Sequence, residues 1–173
     1  EPVLDTIVHR LPVSLSIALG AALIWLLIGI PIGILAATKP RSVADRTATV
    51  IALAGLSMPT FVLGMLLFNF FFYQLTRAGY PIFPAGQYVP LLTNPLEWAR
   101  HLVLPWLTLA LVFAATYSRL TRGSLLEVMG EDYIKTARSK GLSERRVVLK
   151  HGLRSALTPI VTLFGLDLVA LLG

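Results

Sequence analysis

Few side chains in this 173-residue chain could do chemistry, and their spacing excludes most reactions. Ser57 lies in Gly55-Leu56-Ser57-Met58, which lacks the second glycine of a nucleophile elbow and falls in a helical pattern rather than at a strand-to-helix turn. His9, His101 and His151 have no metal-ligand spacing, and no His-Glu-x-x-His occurs. No lysine follows a glycine, so this polypeptide has no P-loop of its own. The absence of cysteine removes disulfide scaffolds and thiolate metal sites. Asp167, Ser57 and Asn69 lie within long apolar runs and are too few to name a reaction. A carboxylate such as Asp167, about ten residues into such a run, costs from about 2.5 kcal/mol upward and usually faces a polar interior. Two readings stand for it: a pathway-lining residue that meets substrate, such as a peptide amine, or a neutralised carboxyl paired with a neighbouring helix. Asp167 and Ser57 are the candidate substrate-pathway residues.

The elements that hold these residues are read from the charges. Only 14% of residues are charged, against about 25% in a soluble domain. No Lys, Arg, Asp or Glu occurs between Arg10 and Lys39, between Arg46 and Arg77, or between Arg100 and Arg119, and Asp167 alone interrupts the run from Ser155 onward. A spanning helix needs about 20 apolar residues to cross about 30 Å of hydrocarbon. Val13 to Ala37 holds 13 Leu, Ile or Val, which contribute on the order of −4 to −8 kcal/mol near the bilayer centre. It is expected to span, as are Ala48 to Leu75 and Leu102 to Ser118, with Thr158 to Gly173 starting a fourth. The first run is too long for the apolar core of a signal peptide. The chain opens without Met and stops inside an apolar run, so an internal piece of a longer protein is expected.

Twelve of the fifteen basic residues fall in two segments: Lys39, Arg41 and Arg46, then nine between Arg119 and Arg154. The positive-inside rule places 38–47 and 119–154 in the cytoplasm and 76–101 outside. The net charge of +6 is thus a topology signal, and a nucleic-acid partner is excluded on the same ground. On the outer side, Asn94-Pro95-Leu96-Glu97 reads as a capped helix start, and Trp98 and Trp106 suit a membrane interface. Within the spans, Gly29 and Gly33 flank Pro31, and Ala52, Gly55 and Gly64 accompany Pro59. Such small residues let helices approach closely, and the prolines permit kinks.

Residues 119–156 are too long for a tight turn, and their pattern is helical. Glu131 and Asp132 suit a first turn, and Glu131 and Lys135 are spaced as an i,i+4 pair. Gly141 falls at the C′ position, and Ser143 with Glu144 opens a second helix carrying Val147, Val148 and Leu149. A buried stripe of Tyr133, Ile134 and Leu142, with Ala137 on the same face, marks a docking element rather than a solvated loop.

The stretch Glu131-Asp132-Tyr133-Ile134-Lys135-Thr136-Ala137-Arg138-Ser139-Lys140-Gly141-Leu142-Ser143 resembles the "EAA" loop of inner-membrane permeases of binding-protein-dependent ABC importers. Ala137 and Gly141 match at the family's spacing. Lys135 and Thr136 stand where the first Glu and Ala occur, a form similar to the dipeptide, oligopeptide and nickel subgroup. Leu153 matches a later Leu, and Arg154 replaces a usual Pro. Arg10-Leu11-Pro12, Ser57-Met58-Pro59 and His101-Leu102-x-Leu104-Pro105 also resemble that subgroup. The resemblance implies an all-α polytopic bundle of the type I importer class, here about four of six spans. It implies a single transmembrane domain over 1–173, with 119–156 as its cytoplasmic coupling segment, in the bacterial cytoplasmic membrane. It further implies a separate ATPase holding ATP and Mg, a second homologous permease, an extracytoplasmic solute-binding protein, and membrane lipid around the spans. On this reading Tyr133, Thr136, Ala137, Lys140, Gly141, Leu142 and Arg145 couple to the ATPase and do no chemistry. Tyr133, Ala137 and Leu142 would form an apolar knob, and Lys140 and Arg145 would meet acidic groups. A secondary transporter or channel without an ATPase is the alternative.

Overall fold

The computed structural model describes residues 3–84 and 86–172, without the side chains of residues 3–6 and 9, so His9's side chain and Gly173 lie outside the described residues. Six helical segments make up the described chain: α1 Val3–Thr38, α2 Val43–Ser57, α3 Thr60–Arg77, α4 Pro95–Val128, α5 Asp132–Ser139 and α6 Glu144–Leu172. Segments α3 and α6 each include a wider π-helical stretch, at Phe68–Gln74 and Val147–Gly152.

Three helical stretches, Arg10–Thr38, Pro95–Val128 and Glu144–Leu172, are long and apolar enough to cross a membrane, and α2 with α3 makes a fourth if counted as one span. That fourth span covers the run expected over Ala48 to Leu75, and it is sharply broken at the proline expected to permit a kink. It bends by 99° between Ser57 and Thr60. Met58 is extended, at φ −95° and ψ 123°, because the ring of Pro59 disfavours helical geometry in the residue before it, and Pro59 has no N–H to continue the ladder. The third span differs in length: α4 runs past Ser118 to Val128, so the first part of the basic segment is an extension of the spanning helix. At its other end Asn94 caps as expected, its side chain accepting the Glu97 N–H at 3.2 Å.

The centre of the bundle is the crossing of α1 and α4, with α6 laid across both. Ala21, Ala22, Trp25, Ala110, Ala114, Tyr117 and Ile160 are buried there. Lipid is as apolar as leucine, so burying leucine gives little preference for helix over lipid; close backbone approach decides the packing. Gly33 makes that approach possible: a Cβ on it would lie 2.5 Å from Thr121 Cβ and 2.6 Å from the Ser118 carbonyl oxygen. At Gly29 the same test gives 3.0 Å to Tyr117 Cβ. Gly55, by contrast, makes only ordinary contact with Ala115.

Trp98 and Trp106 both bond to α1 through Ser16. Trp106 Nε1–H donates to the Ser16 carbonyl at 2.8 Å, Trp98 Nε1–H donates to Ser16 Oγ at 3.3 Å, and the two rings meet edge to face at 5.0 Å. They fasten the start of α4 to α1.

Candidate functional site

The basic segment folds as helix, glycine turn, helix. Helix α5 ends at Ser139, with Lys140 as its cap. Gly141 N–H donates to the Arg138 carbonyl at 2.9 Å and Leu142 N–H to the Ala137 carbonyl at 3.4 Å, the bond pattern of a Schellman end. Gly141 takes φ +76°, and a Cβ there would meet nothing within 4 Å. The backbone angle alone therefore requires glycine at this position. Across the turn Arg138 grips Glu144 with two nitrogens, at 2.7 and 3.1 Å. The guanidinium holds the Glu144 carboxyl below its usual range.

The inner face of α5 is Ile134 and Ala137, buried against Val147 with Val128, Met129 and Leu142 around them. This differs from the expected knob. Ala137 faces into the chain, and Leu142 is half-buried as the hydrophobic partner of the Schellman turn. Tyr133 is 45% exposed and leaves the stripe; its hydroxyl donates to Ser155 Oγ at 3.0 Å. The outward face therefore carries Tyr133, Thr136, Lys140, Gly141 and Arg145, all exposed. Lys135 pairs with Asp132 at 2.8 Å rather than with Glu131. Glu131 precedes the helix as its N-cap residue, so its side chain leaves from outside the helical ladder. Ser143 caps the next helix by position, without a side-chain hydrogen bond. Beside the turn, Ser143, Arg145, Arg146, Leu149 and Lys150 line a shallow depression.

Two further clusters join the helices. In the spans, Tyr117 Oη–H donates to Asp167 Oδ2 at 2.8 Å, tying α4 to α6. Tyr117 is fully buried, and Trp25 stacks beside it on Phe113 at 4.7 Å. Trp25 Nε1–H is buried without a hydrogen-bond partner among the described residues. Ser57 is remote from this cluster in role: it ends α2, and its hydroxyl donates back to the Leu53 carbonyl at 2.8 Å. At the basic end, Asp45 of α2 accepts Arg122 Nε–H at 2.6 Å and Arg122 Nη2–H at 2.9 Å. The Arg122 guanidinium, helped by the Arg41 backbone N–H, lowers the Asp45 carboxyl to about 2. The pair lies just before the apolar run that begins at Ala48.

Sequence reasoning picked out Asp167 but not Tyr117, and neither Asp45 nor Arg122. Asp45 had one signal: it is the sole acid among Lys39, Arg41 and Arg46. Among the described residues, no group of three His, Cys, Asp or Glu is placed to hold a metal.

Residues 29–173 match the family described as binding-protein-dependent transport system inner membrane component. An oligopeptide transport system permease protein of Bacillus subtilis is 40% identical over 99% of this chain and 54% of the relative. A putative peptide transport system permease protein of Brucella abortus is 42% identical over 100% of this chain and 54% of the relative. A dipeptide transport system permease protein of Escherichia coli is 38% identical over 99% of this chain and 56% of the relative. The chain thus spans about half the length of the curated relatives it matches.

Proposed function

The chain belongs to the family of binding-protein-dependent transport system inner membrane components, and from that premise we propose that it forms part of the membrane pathway of an ATP-driven importer for peptides or peptide-like solutes. Its helices cross the inner membrane. A separate cytoplasmic ATPase, carrying ATP and Mg, docks on the outward face of α5. A second homologous permease completes the pathway, and an extracytoplasmic solute-binding protein delivers the cargo. Asp167 lines the pathway, with Ser57 at the bend of the second span. The chain itself performs no chemistry.

The observation that supports this reading best is the two-sided coupling segment. Its inner face is anchored in apolar packing by Ile134, Ala137 and Val147. Its outer face offers Tyr133, Thr136, Lys140 and Arg145 to a partner. A helix fixed on one side and exposed on the other passes a push to the spans instead of yielding to it. The Gly141 turn fixes the angle between the two helices.

The test is substitution of Gly141 in the full-length protein within its complex. Gly141→Arg and Gly141→Asp should abolish uptake and release ATP hydrolysis from transport while membrane insertion persists. Gly141→Asn, which tolerates positive φ, should retain much of the uptake. Normal uptake by Gly141→Arg would overturn the coupling role. Uptake by a purified complex that contains no ATPase would favour a secondary transporter or channel.

A further inference from the structure

The Asp45–Arg122 pair is the most completely satisfied ionic contact in the described structure. Asp45 is 4% exposed. Its carboxylate accepts both Arg122 nitrogens and also the Arg41 backbone N–H at 2.8 Å. Its own N–H is capped by Ser42 Oγ at 3.2 Å. To reach that geometry Arg41 adopts φ +63°, a region that non-glycine residues seldom enter. Strain of this kind persists only where the surroundings hold it, and here one carboxylate organises the whole 41–45 turn.

The place of the pair gives it a task. Arg122 follows Thr121, the residue that meets Gly33 at a close approach of α1 to α4. One turn later Leu125 is buried with Ala37, Val148 and Ala156, which joins α1, α4 and α6. Val128 and Met129 then pack on the inner face of α5. A continuous packed path therefore runs from the outward face of α5 through the end of α4 to the α1–α2 turn. The bend at Met58–Pro59 lies at the other end of α2.

We propose that Asp45 and Arg122 are positioning residues for energy coupling: the pair locks the α1–α2 turn to the end of α4, so that displacement of α5 moves α2 along with the spanning helices. This inference rests on the importer reading above. A two-pronged guanidinium–carboxylate contact suits the task because it fixes orientation as well as distance, which a lysine ammonium cannot do.

The experiment uses the full-length protein assembled with its partner permease and ATPase in proteoliposomes, supplied with the solute-binding protein, and reads peptide uptake per ATP hydrolysed. Asp45→Asn and Arg122→Gln should each lower that ratio about tenfold, with the amount of assembled complex and its basal ATP hydrolysis close to those of the unaltered protein. Arg122→Lys should lower it less. The double variant Asp45→Asn with Arg122→Gln should recover part of the loss, because neither partner is left as a buried lone charge and an amide pair can still hydrogen-bond. If a single variant assembles poorly, Arg122→Lys and the neutral pair still read the ratio. An unchanged ratio in these variants overturns the inference. So does a fall in uptake and hydrolysis by the same factor, which is what a merely structural contact would give. Failure of the unaltered complex to take up peptide with ATP would instead overturn the importer reading.

Discussion

Two apolar regions pack in opposite ways. The α1–α4 crossing buries Trp25, Tyr117 and a row of alanines. Over Thr60–Gln74 of α3, which holds Phe61, Phe68, Phe70, Phe71 and Phe72, no residue is buried. Hydrophobicity does not explain the difference, because the unburied arm is the more apolar of the two. The crossing has Gly29 and Gly33 facing Ala114, Tyr117, Ser118 and Thr121, whereas α3 presents large rings that stack on one another, as Phe68 does on Phe72 at 4.6 Å. In a bilayer, large apolar side chains are at home against lipid or against other spans, and small ones bring helices into contact.

This contrast can be broken most severely at Gly33. Gly33→Leu should destabilise the protein by about 3 kcal/mol or more, since the side chain meets α4 backbone as well as Thr121. Gly123→Leu, on the same α4 helix with nothing within 4 Å of its Cβ, should change stability by less than about 1 kcal/mol. Denaturation in mixed detergent micelles measures both. Equal losses at the two positions would mean that close approach does not hold the crossing. Tyr117→Phe comes next. It removes the 2.8 Å bond to Asp167 and should cost about 1 kcal/mol, the scale of hydrogen bonds between helices in lipid. Asp167→Asn keeps an acceptor and should cost less in stability. Uptake then sharpens the role of the carboxyl: loss of transport in a stable Asp167→Asn protein supports the pathway reading, and full activity in both Asp167→Asn and Asp167→Leu rejects it. The smallest effect is expected in α3. Phe70→Leu should stay within about 0.5 kcal/mol, and a larger loss would show that the Phe-rich arm is held by specific contacts.

What could be read from the sequence follows from what each signal depends on. Charge-free runs marked the spans because the cost of a charge in hydrocarbon depends on composition alone. The Asn94 cap and the Gly141 turn were legible because both are local backbone chemistry. The 99° bend was half legible: Pro59 marked the position, but the direction depends on what α2 and α3 pack against. The exposure of Tyr133 was not legible for a similar reason. Its place beside Ile134 in sequence said nothing of Ser155, twenty-two residues on, which draws its hydroxyl outward. Lys135 chose Asp132 over Glu131 because the helix begins one residue later than the i,i+4 spacing assumes. Asp45 with Arg122 and Tyr117 with Asp167 join residues 77 and 50 positions apart. No periodicity in one segment can announce such a partner in another.

The chain has three tryptophans, and all of them lie on one crossing. Trp98 and Trp106 sit at the start of α4 with their N–H groups on Ser16. Trp25 lies mid-span between Phe113 and Phe164. This segment's native ultraviolet emission is therefore a gauge of a single joint. Its outer pair senses hydrogen bonding, its inner indole senses a dry aromatic stack, and the bent α2–α3 arm contributes no tryptophan signal at all.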